Sequence, residues 1–284
     1  MALRSHPTAR QERLGAELRK MREAAGMTAR EAADRVGTTA AQMSHMEAGR
    51  TGVSEERLRR MAAEYACFDG ALIDELVAMA TDRGKGWWEK YRGVLPHAAL
   101  DLAELEHHAA YLRMFEAAYV PGLLQTEAYV RALFAYGLSE SSPQDLAPRV
   151  SFRLQRRDVL DRDPVLPWEV LIHEAALRTR VADRKVQREQ LAFILERSDH
   201  PHVTVRVVPF DVDGFGGAGN SMLYVGGPVP ELDTVRLDAS WPAPLQIDAK
   251  SQLVRYRLLL DKVVRFSLSA GESRDFIRRV AQEI

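Results

Sequence analysis

Apolar positions recur at helical spacing through the first eighty residues. Leu14, Leu18, Met21 and Ala25 stand three or four apart in a charged segment that stops at Gly26. Thr28-Ala29-Arg30-Glu31 has the hydroxyl-to-acid spacing of a capping box, Ala32, Ala33 and Val36 form the inner stripe behind it, and Gly37 suits the left-handed residue that ends a helix. Thr39 and Gln42 repeat the capping spacing, so another helix is predicted to start near Ala40. Around that helix Ala40, Ala41, Ser44, His45 and Ala48 fall on one side, and Thr39, Met43, Met46 and Glu47 on the other. One side is small and polar; the other is apolar with one acid. Ser54-Glu55-Glu56 opens a further helix with Leu58, Met61, Ala62 and Tyr65 inward, and 69–79 gives a fifth with Leu72, Ile73, Leu76 and Val77.

Gly84-Lys85-Gly86 interrupts this pattern and marks a domain boundary. Trp87, Trp88 and Tyr91 follow as anchors for the next core. Leu102, Leu105, Glu106, Ala109, Leu112 and Phe115 predict one long amphipathic helix ending before Val120-Pro121-Gly122, and 127–136 predicts another. Ser141-Ser142-Pro143 reads as a loop, and 148–160 as a basic helix with Arg149, Arg153, Arg156 and Arg157. Strand patterns are read only beyond this point, at 168–173, 203–208, 221–225 and 234–237, with a helix over 184–197 between the first two. Helices over 247–266 and 270–284 close the chain. The fold expected is mainly α with an α+β second domain: a five-helix head, a helical segment, and a small, mostly antiparallel sheet covered by helices. The expected boundaries are a flexible arm at 1–9, a head at 10–83 and a second domain at 84–284.

Two helices joined by a tight turn at Gly37 within about twenty residues have the helix-turn-helix layout. Leu14-Gly15-x-x-Leu18-Arg19-x-x-Arg22, Gly26-Met27-Thr28 and Ser44-x-x-Glu47-x-Gly49-Arg50 together resemble the phage-repressor-like (XRE) family of regulators over about residues 10 to 66. The resemblance implies a head that binds double-stranded DNA. It places Thr39, Ala40, Ala41, Ser44 and His45 toward the bases, with Gln42 among the DNA-binding residues, the start of the Thr28-Ala29 helix at a phosphate, and Arg50 on the neighbouring backbone. It also implies that Arg22 and Glu47 form an internal ion pair. Family members that read bases strongly often carry Gln or Arg where this chain has Ala40 and Ala41. Alanine offers only a methyl contact to thymine, so readout falls to Ser44, His45 and DNA shape.

Charge changes the picture modestly. The chain carries a net charge of -1, yet residues 1 to 66 hold 12 basic and 9 acidic side chains, against 27 and 31 in the remainder. The basic bias lies in the head, in keeping with DNA contact there. One cysteine, Cys67, excludes an internal disulfide framework and suits a cytoplasmic protein. No apolar run approaches the roughly 18 residues of a membrane span, so no membrane partner is expected, and no apolar signal-peptide core is read at the N-terminus.

The second domain has a resemblance of its own. Leu105-Glu106-x-x-Ala109, Val120-Pro121-Gly122-Leu123-Leu124-Gln125-Thr126-x-x-Tyr129, Arg153-x-x-Arg156, His173-Glu174-Ala175-Ala176-Leu177-Arg178, Gln190-Leu191 and Val203-Thr204-Val205-x-Val207-x-Pro209-Phe210 resemble a large C-terminal domain of unknown function. That domain occurs in many actinobacterial XRE-type regulators and is described as antitoxin-like, often encoded beside a small partner protein. Gln125, Arg153, Arg156, His173 and Glu174 are the candidate partner or ligand site.

Catalytic patterns are weak. Gly214-Phe215-Gly216-Gly217-Ala218-Gly219 lies between strands and lacks the helix that would offer its N-terminus to a pyrophosphate. His107 and His108 are adjacent and point to different helix faces, so neither a metal nor a cofactor is expected. The expectation is a non-enzymatic, homodimeric transcriptional regulator on a pseudo-palindromic operator, responsive to a small-molecule effector or a small neighbour-encoded protein. The alternative is an antitoxin-like protein that sequesters that partner, with DNA autoregulation secondary.

Overall fold

The computed structural model describes residues 3–82, 84, 86–137, 143–217, 219–237 and 244–284. Met1 and Ala2 of the expected arm, Lys85 of the linker, Ser141 and Ser142 of the expected loop, and Ala218 of the glycine-rich stretch lie outside them. Contacts divide the chain into two compact units, one of residues 1–90 and 99–105 and one of 91–98 and 106–284, a division that interleaves around residues 90–106 rather than cutting once at 84.

The first unit is a bundle of five helices: α1 (Ala9–Ala24), α2 (Ala29–Val36), α3 (Ala40–Glu47), α4 (Glu55–Glu64) and α5 (Gly70–Thr81). Local chemistry sets their ends. Thr8 and Thr28 each complete a capping box, with Gln11 and Glu31, while Ser54 and Asp69 cap α4 and α5. Gly37 takes φ 72° and stops α2. At Thr39 only half the expected box forms: its hydroxyl accepts from the Gln42 amide at 3.1 Å, but the Gln42 side chain turns to accept from the Thr38 hydroxyl at 2.5 Å. The expected free arm is tied down at Arg4, whose amide donates to the Arg50 carbonyl at 2.9 Å and whose guanidinium donates to that of Gly49 at 3.0 Å. Leu18, Ala32, Val36, Met43, Leu58, Met61 and Leu76 form the core.

The second unit is built on a six-stranded mixed sheet: β1 (Tyr111–Glu116), β2 (Trp168–His173), β3 (Val203–Val208), β4 (Met222–Gly226), β5 (Thr234–Leu237) and β6 (Leu245–Ile247), in the order β3-β2-β1-β4-β5-β6. β1 pairs with β2 and β2 with β3 in parallel, while the other three pairings are antiparallel. The helices of this unit are α7 (Glu127–Gly137), α8 (Pro143–Gln155), α9 (Glu174–Arg178), α10 (Arg184–Arg197), α11 (Lys250–Arg265) and α12 (Ala270–Glu283), while α6 (His97–His107) is divided, its residues 99–105 belonging to the first unit. α11 covers one face, where its Leu253, Leu260 and Val263 pack with Phe115, Leu171, Met222, Tyr224, Val235 and Ile247. α12 packs against β3.

Three sequence expectations need correction. The long helix predicted through 102–116 ends at His107, and Tyr111–Glu116 is β1, so strands begin well before residue 168. No glycine or proline stops that helix. A distant guanidinium does, since Arg162 donates to the carbonyls of His107 and Ala109, and the Ala110 amide then joins the Gly226 carbonyl at 2.8 Å beside β4. The basic helix starts at Pro143 rather than 148, with Pro148 inside it, and its last residues form a 3-10 turn over Arg156–Asp161. The first residue of the predicted 247–266 helix belongs instead to β6.

Packing of α1 on α3 leaves no room at Gly15, where a Cβ would stand 2.5 Å from the Glu47 carbonyl oxygen and 2.7 Å from that of Met46. Gly15→Ala is expected to destabilise the first unit by about 1–3 kcal/mol, because backbone must move. Native-state hydrogen exchange of α1 and α3 amides measures it; unchanged protection there, against the second unit as internal standard, contradicts the packing.

Candidate nucleic-acid interface

α3 is eight residues long, too short to hold its shape alone, so what lies behind it decides what it presents. Met43 and Met46 are buried, and the Tyr65 hydroxyl donates to the Met43 sulfur at 3.7 Å. Burial pushes the Tyr65 phenol up to about 12, so it stays a donor. Arg22 of α1 grips Glu47 with a planar fork, Nε to Oε1 at 2.6 Å and Nη2 to Oε2 at 2.9 Å. Its remaining nitrogen, Nη1, donates to the Met27 carbonyl at 2.6 Å. Hydrogen bonding to Glu47 raises the Arg22 pKa above its ordinary value. Both side chains are 8% exposed, so the pair is buried and α3, α1 and the turn before α2 are joined through one guanidinium.

The opposite side of α3 faces out. Thr39, Ala40, Ala41, Gln42 and Ser44 are exposed, as is Arg50 just beyond the helix, while His45 is half-buried. Thr28 is exposed and Ala29 half-buried at the start of α2. The Thr28–Glu31 box occupies the amides of both residues and leaves those of Ala29 and Arg30 without an intrahelical acceptor. These residues come from two helix starts and one helix end, and they offer small side chains, hydroxyls, an imidazole and free amides.

Ion pairing sorts the arginines of the first unit. Arg13, Arg19, Arg59 and Arg60 each meet an acid one turn earlier or later on their own helix, at 2.7 to 2.9 Å, and Arg35 lies 3.8 Å from Glu64. Among the described residues Arg30, Arg50 and Arg57 are exposed and in no ion pair. They sit in the first turn of α2, just after α3 and in the first turn of α4. Sequence reading singled out Arg50 alone. Arg57 was legible as a basic residue with no acid three or four positions away on its predicted helix; Arg30 was not, because Asp34 stands four residues on, and Arg4 had no local signal at all.

The second unit's candidate residues fall into two groups that serve the fold. Gln125, buried, donates to the Val120 carbonyl at 2.7 Å and accepts from Arg153 at 3.0 Å. Gln190 reaches the same segment, accepting from the Thr126 amide at 2.8 Å and donating to the Leu124 carbonyl at 2.6 Å. Arg156 forms a bidentate pair with Glu106 at 2.6 and 2.9 Å, with 6% and 2% of the side chains exposed. The turn at Gly122–Leu124 is therefore clamped by buried polar side chains, and Gly122 fits because a Cβ there would meet Arg153 at 3.2 Å and Arg156 at 3.4 Å. Away from these, His173 caps α9, its Nδ1 accepting from the Ala175 amide at 3.2 Å between the rings of Phe210 and Phe215. Glu174 accepts from the Phe210 amide at 2.8 Å and from Arg178 at 2.5 Å. Among the described residues no group of three side chains could hold a metal, and no helix is long and apolar enough to cross a membrane.

Residues 99–279 match the family described as a domain of unknown function (DUF5753). The chain belongs to this family. Residues 13–76 of the DUF5753 protein match the family described as a helix-turn-helix domain, so the bundle with α2 and α3 at its centre is a helix-turn-helix domain. No curated protein and no solved structure matches the DUF5753 chain.

Two outcomes follow. Glu47→Ala leaves the buried Arg22 unpaired and is expected to cost about 3–5 kcal/mol of first-unit stability, whereas replacing both with apolar residues of similar volume recovers most of it; denaturant unfolding of the single and double variants decides. Burial lowers the His173 pKa below its ordinary 6.5, with Glu174 opposing. The neutral ring that caps α9 is thus favoured in the fold, and its contribution is complete above 6.5 and lost as pH falls through the lowered value. His173→Asn, which keeps a cap, is expected to flatten the acid limb of the stability profile of the second unit, and an unchanged slope refutes that role.

Proposed function

We propose that this protein is a sequence-specific, DNA-binding transcriptional regulator of the XRE type, cytoplasmic and without catalytic activity. It acts as a homodimer on a pseudo-palindromic operator, with the second unit as its ligand- or partner-sensing module. The observation that carries the reading is the outward face of α3: small and polar along its length, braced from behind by Met43, Met46 and the Arg22–Glu47 pair. A major groove admits one helix, and base edges accept short polar side chains and methyl groups. Ser44 and His45 read bases, Ala40 and Ala41 pack against thymine methyl groups, and Thr39 and Gln42 stand at the entry. The open amides at Ala29 and Arg30 and the unpaired Arg30, Arg50 and Arg57 take the phosphates on either side, which positions α3 without reading sequence.

Base and phosphate contacts separate experimentally. Ser44→Ala with His45→Ala is expected to cost about 1–3 kcal/mol of specific binding per lost base contact while non-specific binding stays. Arg50→Ala or Arg57→Ala is expected to weaken all sequences alike and to lower the salt slope of binding by about one. Genome-wide footprinting supplies the operator, and fluorescence anisotropy across a salt series measures both effects. A double variant that binds the operator as tightly as the parent rejects the base-reading assignment. If a small neighbour-encoded protein co-purifies and abolishes operator binding, the sequestering, antitoxin-like reading replaces this one.

A further inference from the structure

The loop between α9 and α10 and the end of α12 border a cavity of about 220 Å³, lined by Arg178, Arg180, Arg184, Val280, Glu283 and Ile284. Three arginines thus meet one glutamate. Arg178 is held in place: its Nε donates to Glu174 Oε1 at 2.5 Å and its Nη1 to Glu283 Oε2 at 2.6 Å, which leaves Nη2 without a partner among the described residues. Arg180, two residues on, and Arg184, the first residue of α10, are exposed, and among the described residues neither is in an ion pair or a side-chain hydrogen bond. Other arginines of this unit are matched, Arg113, Arg197 and Arg274 each reaching a carboxylate at 2.7 or 2.8 Å. Like charges gathered round one small space repel each other, and the only acid lining it is already spent on Arg178.

We infer that this cavity binds the phosphoryl group of a small molecule. A guanidinium presents paired N–H donors that match phosphate oxygens, and a phosphate monoester at neutral pH carries a charge of about -1.5 to -2 on three acceptor oxygens. The site matches that count: Arg180 and Arg184 are two cations with no acid of their own, and Nη2 of Arg178 adds a donor from a third, fixed position. A single carboxylate, with one charge and two oxygens, leaves part of this set unused. Volume limits the rest of the ligand. At about 220 Å³ the cavity is smaller than the roughly 300 Å³ at which pockets for drug-sized ligands begin, so the phosphoryl group carries at most a short carbon body against Val280 and Ile284. Free phosphate and a small phosphate ester share this chemistry. Occupancy ties the loop after α9 to the end of α12, and through Glu174, which also accepts from the Phe210 amide at 2.8 Å, it reaches the segment that follows β3.

This names a ligand class for the sensing module of the proposed function and rests on that reading for its purpose, although not for its geometry. Isothermal titration of the full chain in chloride buffer at fixed ionic strength tests it, with inorganic phosphate, glycerol 3-phosphate and succinate as probes. One saturable site is expected for the two phosphates. Arg180→Gln and Arg184→Gln are each expected to weaken it by about tenfold or more with an unchanged far-ultraviolet spectrum, since each removes a charged donor that the fold does not use. Phosphate is also expected to slow phenylglyoxal modification of Arg180 and Arg184 in the parent, read by peptide mass spectrometry; this arm stands even if a variant fails to fold. Tighter binding of the ester identifies a phosphorylated metabolite as the occupant, and tighter binding of inorganic phosphate identifies the free ion. No saturable binding of either at about 10 mM, an affinity unchanged in both variants, unprotected arginines, or succinate bound as tightly as the phosphates overturns the assignment. Anisotropy with promoter DNA on the same samples keeps the two ideas apart: a chain that binds DNA but no phosphate removes only this site, whereas a chain that binds phosphate as described but ignores DNA removes only the regulator reading.

Discussion

The placement of α3 depends on a helix crossing that admits no side chain. At Gly15 the backbone of α1 lies against the carbonyls of Met46 and Glu47 closer than any Cβ allows. Seven residues later, two turns along the same face of α1, Arg22 is brought level with the Glu47 carboxylate and closes on it with both arms of its fork. A buried ion pair seldom adds net stability over an apolar pair of equal volume, because both ions lose their hydration. Its contribution here is geometric. A helix of eight residues with methionines inside could rotate or slide in a purely apolar seat, but a bidentate pair permits one rotation and one depth, and that rotation turns Ala40, Ala41 and Ser44 outward.

The second unit repeats the device with different parts. Arg156 and Glu106 are joined in the same bidentate fashion, and Gln125 and Gln190 supply the donors and acceptors that the buried turn around Gly122–Leu124 needs. A loop pressed into a core must satisfy every backbone amide and carbonyl without water, and long amide side chains do this from a distance. The consequence bears on function. Glutamine and arginine at these positions have the look of ligand donors in the sequence, yet their hydrogen bonds are consumed internally, so Gln125, Arg153 and Arg156 position a turn. His173 and Glu174 are likewise engaged, with an α9 amide, the Phe210 amide and Arg178.

What could be read from the chain follows the range of the interaction. The helices of the first unit announce themselves because their ends are set by residues three or four positions away, such as Thr28 with Glu31, or by the residue itself, such as Gly37. β1 escaped because Leu105, Ala109, Leu112 and Phe115 keep helical spacing across the break, and the group that ends α6 is Arg162, more than fifty residues later. β6 escaped because three residues are too few to show alternation. At the candidate interface Ala40, Ala41 and Ser44 were legible as outward from periodicity, whereas Thr39, which the same periodicity set on the inner side, is exposed because it caps the helix from outside it. Arg4 was not, since its partners, Gly49 and Arg50, lie at a separation of about 45 residues, and no local pattern encodes a contact at that range.

Net charge is a poor guide to where this first unit attracts a phosphate. A surplus of three over residues 1–66 sounds slight, and it is an average over two kinds of arginine. Arg19, Arg59 and Arg60 are matched by acids on the same helix, and such exposed pairs add little stability while cancelling each other's field. With screening over about 8 Å at physiological ionic strength, a phosphate responds to the nearest cations and not to the sum. Arg30, Arg50 and Arg57 are left unmatched at the start of α2, the end of α3 and the start of α4, the helix ends that flank the outward face of the short central helix. Among the described residues of the first unit, the cations left unmatched therefore stand beside the outward face of α3, a concentration that the net charge does not reveal.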